Sequence, residues 1–152
     1  MEKLDEQLFK IVVDSTPIIS IDILVKKDNK ILLGKRVNKP AKGYFFSIGG
    51  RVRKNEAINQ AMKRIVNNEL SIRLKSIPKF IGVFEHFYDL SIYKNVSTHY
   101  INLAYEYEIN DFYDLKDFPK EQHNEYKWFT LNELLEDKKV HKYVKEYFRK
   151  SI

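Results

Sequence analysis

Apolar and polar positions change period several times along the chain, and each change marks an element. "PIISIDILVKK" and "ILLGKRV" are apolar runs rich in β-branched residues, separated by "DNK"; they read as two strands of a hairpin with a polar turn. Ahead of them, Leu4, Leu8, Ile11 and Val12 repeat at helical spacing and predict a short helix over roughly 3–13. "GYFFSI" predicts a short strand that runs into the pair Gly49 and Gly50. Ala57, Ile58, Ala61, Met62, Ile65 and Val66 then recur at helical spacing, which predicts a helix over about 56–70. "KFIGVFEHFYD" and "THYINLAYEYEI" are long, aromatic and β-branched, so they read as two further strands. "DFYDLKDFPKEQHN" is a polar connection, and "EYKWF" is a last strand. "TLNELLED" opens a closing helix whose capping box is Thr130 and Glu133. No internal repeat, low-complexity tract or linker interrupts this order, so the pattern predicts one α+β domain over 1–152 with a mixed sheet.

One residue breaks its own pattern. Glu69 lies four residues after Ile65, on the same face of the helix as the apolar stripe. An unpaired ionised carboxylate there costs several kcal/mol, so it must protonate, pair with a cation or bind a metal. An internal salt bridge or a frayed helix end that reaches water are the ordinary explanations. A Mg²⁺ site is the sharper one, since such sites use one or two carboxylates and complete their shell with water and phosphate. Gly49 and Gly50, just before this helix, free the backbone to approach a ligand or to take a positive φ.

Composition narrows the class. The 152 residues carry 27 Lys and Arg against 21 Asp and Glu, a net charge of +6, but the basic residues are scattered through every segment. A nucleic-acid reader concentrates its cations in a stripe, so a solvated basic surface that attracts a small polyanion fits better. The chain has no cysteine, which excludes disulfides and thiolate metal sites. No apolar run approaches the roughly 20 residues that span a bilayer, and "MEKLDEQLFK" lacks a signal-peptide core. A cytoplasmic protein without nucleic-acid or membrane partners is the expectation.

The spacing Gly50, five residues, Glu56, seven residues, Arg64 and then Glu69 resembles the Nudix box, G-x5-E-x7-R-E-U-x-E-E-x-G-U with U aliphatic. That box holds Mg²⁺ against a nucleoside diphosphate linked to another group. Here Ile65 and Asn68 replace two of its glutamates and Ser71 its glycine, which leaves one metal carboxylate. The same positions are reduced in the GDP-mannose mannosyl hydrolase branch. "STPIISIDILV", "LLGKR", "GYFFSIGGRV", "HFYD", "STHYINL" and "EQHNEYKWF" resemble that branch in order and spacing, although Ile48 stands where the family has a proline.

The resemblance implies a Nudix-type α/β/α sandwich and hydrolysis of GDP-mannose, or a related GDP-hexose, to GDP and free sugar. Water would attack the anomeric carbon with inversion. It implies one Mg²⁺ per subunit, with Mn²⁺ as a substitute, held by Gly49, Glu69 and Gln122. His123 would be the general base, its ordinary pKa suiting it to deprotonate water near neutrality. Arg51 and Arg64 would contact phosphate oxygens or orient the ligand carboxylates, although Arg64 can equally pair with Glu56. Arg36 would contact the diphosphate or leaving group, or else be a surface cation at a strand end. Asp22 would be the sugar-side carboxylate, or else lie on a wet face of its strand. Tyr100 would meet a phosphate oxygen. Phe9 would stack on guanine beside Lys3 and Leu4, or else face the core. His86 and His99 are candidates for lining the pocket. A homodimer is implied as well. The alternatives are a pyrophosphohydrolase that cuts between the phosphates, and a non-catalytic nucleotide-binding module.

Overall fold

The structure is a computed structural model that describes residues 3–149. Strand β1 (Ile18–Lys27) is its axis. It turns through Asp28 and Asn29, both at positive φ, into β2 (Lys30–Arg36), which runs antiparallel with Val25 opposite Leu32. Asp and Asn tolerate that left-handed conformation, as a two-residue hairpin turn requires. Beyond Leu32 the two strands part. The fork between them is filled by β3 (Phe45–Phe46), which pairs with β2, and β4 (Ile48–Arg51), which pairs with the first half of β1. Along its other edge β1 runs parallel to β6 (Thr98–Glu108), which pairs antiparallel with β5 (Lys79–Tyr88) at the sheet's margin. The last strand, β7 (His123–Thr130), pairs antiparallel with β2.

Alternation along β1 builds two cores. Ile21, Ile23 and Val25 face helix α2 (Ile58–Leu70) and pack with Ile48, Met62, Ile65, Val66 and Leu70. Leu24 points the other way, with Ile31, Leu33 and Phe129, beneath α3 (Leu131–Glu136) and α4 (Lys142–Glu146); Leu134 and Val144 of these helices and the flanking Val140 and Tyr147 complete this core. Helices therefore cover both faces of a mixed sheet, the α/β/α sandwich expected. No helix among the described residues is long and apolar enough to cross a membrane.

Several elements depart from the pattern reading. Helix α1 spans Glu6–Ser15 and seals only a small cluster through Phe9, Val12 and Val13. Leu8 and Ile11 of the expected stripe are 45% and 59% exposed, because the helix touches the body along one narrow edge. Helix α2 begins at Ile58, after Glu56 rather than with it, and Ile58 itself is largely exposed. The glycine pair lies within β4, and neither residue has a positive φ. Close approach explains them instead: a Cβ on Gly49 would collide with the Asp22 carboxylate, and one on Gly50 would press on Ile65 at 3.1 Å. Finally, His123 is the first residue of β7 rather than part of a polar loop, and α4 follows the predicted closing helix.

Candidate active-site cleft

The fork between β1 and β2 opens into a cleft of about 1100 Å³. Glu69 reaches its floor from the last turn of α2, which ends at Ser71 in the left-handed conformation. Its side chain is only 8% exposed, and Oε2 has no hydrogen-bond partner. Burial pushes the carboxyl up to about 8, against the opposing pull of the Arg36 charge and the Gly49 backbone N–H. His123 Nδ1 lies 3.4 Å from Glu69 Oε2. The two do not form an ion pair near neutrality, since burial first, and then the Arg36 charge, lowers the imidazole to about 3.

Asp22 stands across the fork, buried but on the cleft wall. Burial raises it to about 6, while the Tyr147 hydroxyl, Arg36 and the Ser47 and Asn102 side chains oppose that rise. Arg36 is thus the cation that both carboxylates feel, and its Nε is anchored on the Pro40 carbonyl at 3.1 Å.

The arginines divide the work differently from one another. Arg64 donates from Nε and Nη2 to the two oxygens of Glu56 at 2.7 and 2.8 Å, and Nη2 also donates to the Arg51 carbonyl at 2.9 Å. Glu56 accepts the Arg53 backbone N–H as well, and these bonds, Arg64 first, draw it down to about 2 despite burial. Of the two roles open to Arg64, the structure gives it the Glu56 ion pair, and its bond to the Arg51 carbonyl ties the end of β4 to α2. Arg51 remains turned to the cleft, its guanidinium 4.9 Å from the centre of the Phe9 ring. Phe9 is half-buried and also packs edge-on against Tyr93.

Of the remaining expected site residues, Lys3, Leu4, Tyr100, Gly49 and Gln122 all line the cleft. His123 does not: it is fully buried, beneath Gly34, where an added Cβ would meet its ring at 2.5 Å, and neither ring nitrogen is hydrogen-bonded. His86 lines the cleft and stacks on Tyr143 at 4.2 Å, whereas His99 stacks on Phe87 instead. Tyr147, Asn102 and Ser20, a buried polar chain ending on Asp22, escaped the pattern reading. Asn102, a lone amide within the apolar "YINLAY", was the one available signal.

A divalent cation fits this donor set. Glu69 Oε2 is a hard oxygen, buried and unpartnered, a state that a cation would relieve. Among the described residues no group of three His, Cys, Asp or Glu side chains converges on a metal position, so the set would be one carboxylate completed by neutral oxygens. The Gly49 carbonyl and Gln122 Oε1 are those candidates; the latter also accepts a bond from Asn38 at 3.2 Å.

The NUDIX domain model matches residues 16–150. The chain is 34% identical to the low-salt glycan biosynthesis protein Agl8 of Haloferax volcanii over 110 residues, 72% of this chain and 70% of that protein. It is 29% identical over 112 residues to the ADP-ribose pyrophosphatase of Methanocaldococcus jannaschii, 68% of this chain and 66% of the relative. Among solved structures, the MutT NUDIX hydrolase from Burkholderia pseudomallei superposes with a TM-score of 0.70 at 20% identity, covering 88% of this chain and 96% of that one.

Proposed function

The chain belongs to the NUDIX family, and from that premise we propose that it hydrolyses a GDP-hexose, GDP-mannose first, to GDP and the free sugar by water attack at the anomeric carbon. The observation that carries this reading is the carboxylate arrangement. The box helix supplies one buried, unpartnered carboxylate, Glu69, and a second, Asp22, faces it across the fork. Attack at phosphorus is served by several cations and several box carboxylates. Departure of GDP from carbon needs less, because GDP is already a good leaving group. A bound Mg²⁺, held by Glu69, Gly49 and Gln122, would supply neutralisation of charge on the departing diphosphate.

The chain's own residues account for the remaining requirements. Arg36 and Arg51 bring fixed positive charge to the diphosphate, where it stabilises the developing anion. Arg64 ties β4 to α2 through the Arg51 carbonyl and is itself fixed by Glu56. Phe9, with Lys3 and Leu4, offers an aromatic face and a cation to the base, and Tyr100 a hydroxyl to the phosphate. Asp22 accepts a hydroxyl on the sugar side. His123 takes the proton of the attacking water from an outward position. It is the first residue of β7, next to a register irregularity at Lys35 and Arg36, and its ring makes no hydrogen bond in the inward position, where Nδ1 lies 3.4 Å from Glu69 Oε2. An imidazole brought into the cleft is relieved of the burial that holds the inward ring down, although the Arg36 charge still acts on it.

A second reading is kept because of one relative: the M. jannaschii protein is named a pyrophosphatase for ADP-ribose. Cleavage within the diphosphate would yield a nucleoside monophosphate and a sugar phosphate. The test is product analysis over a panel of purine-diphosphate sugars with Mg²⁺. GDP and free hexose are expected from GDP-mannose or a close relative. A nucleoside monophosphate as the product supports the second reading, and no turnover on any member of the panel supports a non-catalytic module.

A further inference from the structure

Asp22 lies on the cleft wall, yet it accepts a hydrogen bond from the far end of the chain. Tyr147, just past α4, donates its hydroxyl to Asp22 Oδ2. The same hydroxyl accepts the Asn102 Nδ2–H at 2.6 Å, and Asn102 Oδ1 in turn accepts from Ser20 Oγ at 2.8 Å. The chain of bonds therefore has one direction, from Ser20 through Asn102 and Tyr147 to Asp22. An amide nitrogen only donates, and a phenol has a single proton to give. His86 Nε2, at 3.4 Å, is the more distant competitor for that proton.

We propose that Tyr147 is a positioning residue for Asp22: it fixes one carboxylate oxygen and so aims the other, as an acceptor, at a hydroxyl of the bound sugar. This rests on the GDP-hexose reading above. Packing alone does not explain the tyrosine. Its ring meets Phe84 edge-on at 4.8 Å within the α4-side core, and a phenylalanine would fill that space as well. What the hydroxyl adds is a bond to a side chain on the cleft wall. The other oxygen, Oδ1, lies over Gly49, at the one position of β4 where any Cβ would displace it. A donor behind and a missing side chain in front constrain the carboxylate from opposite sides, and Ser47 and Asn102 add to the donors around it. A carboxylate held in that way recognises a donor on the substrate and loses value when a small rotation misaims it.

The experiment compares wild type, Tyr147→Phe, Asp22→Asn and the double variant on the nucleotide sugar that wild type turns over, together with a crystal structure of Tyr147→Phe. The phenylalanine variant is expected to keep its fold and its Mg²⁺·GDP affinity, to hold KM within about twofold and to lose kcat about tenfold or more. The double variant is expected to be no slower than Asp22→Asn alone, because Tyr147 acts only through Asp22. In the crystal, Asp22 should rotate away from Gly49. Unchanged kcat, losses that multiply in the double variant, or an Asp22 that stays in place would each overturn the proposal. If Tyr147→Phe does not fold, Tyr147→Met removes the same hydroxyl with a more adaptable side chain and is held to the same outcomes. A wild-type protein inactive on the whole panel would remove the functional reading, while the crystal still decides the positioning.

Discussion

Glu69→Gln is expected to lower Mg²⁺-dependent turnover by about a thousandfold, since loss of several kcal/mol of charge stabilisation corresponds to that factor. The amide matches the carboxyl in size and can still accept the Gly49 N–H, so the variant removes charge and little else. The same substitution has a signature without substrate. In the metal-free protein Glu69 is raised from 4.5 to about 8 by burial, so the folded state binds a proton more tightly than the unfolded chain does. The resulting stability is fully present below about pH 4.5 and is lost as pH rises through 8. Asp22, raised to about 6, adds a smaller change of the same sign at lower pH. The buried His86, His123 and His141, held down by burial to about 4, 3 and 4, act with the opposite sign below about pH 6.5. Thermal melts of the metal-free wild type should therefore fall as pH rises from about 7 through 8, and Mg²⁺ should restore this alkaline end. Glu69→Gln should flatten most of that dependence and abolish the Mg²⁺ effect. A variant that keeps the full Mg²⁺ response in both melts and turnover would return Glu69 to an ordinary buried carboxyl.

His123→Gln is expected to lower kcat by about 10²–10⁴-fold, the usual range for loss of a general base, while Mg²⁺·GDP still binds. The pH profile separates the two positions of the ring. A base working from the cleft gives wild type an ionisation in kcat/KM well above the value of about 3 at which burial holds the inward ring. If His123 is only a core residue, the variant instead lowers the melting temperature and keeps its kcat. Profile and melt together therefore decide its role.

The sheet was largely legible in the sequence because its strands carry long apolar runs, and α2 because its stripe is regular. The inward direction of Glu69 followed from the same stripe by counting from Ile65. What escaped depends on contacts far apart in the chain. The need for glycine at 49 comes from the Asp22 carboxylate on a neighbouring strand, not from any turn of its own. The inward turn of His123 depends on the hollow left by Gly34 on β2. Tyr147 meets Asp22 across 125 residues of sequence, and no local period encodes that pairing. Helix α1 misled in the other direction: its stripe is regular, but the body offers it only a narrow seat, so Leu8 and Ile11 stay in solvent. Arg64 was readable as a partner for Glu56 or for phosphate. Only the geometry, two nitrogens on two oxygens, separates the roles.

The central claim concerns which atom water attacks, and a single turnover in ¹⁸O-water with Mg²⁺ and GDP-mannose, or whichever GDP-hexose the protein prefers, reads it directly. Attack at the anomeric carbon places the label in the free hexose and leaves GDP unlabelled. Label in a phosphate, with the hexose unlabelled, would contradict the account.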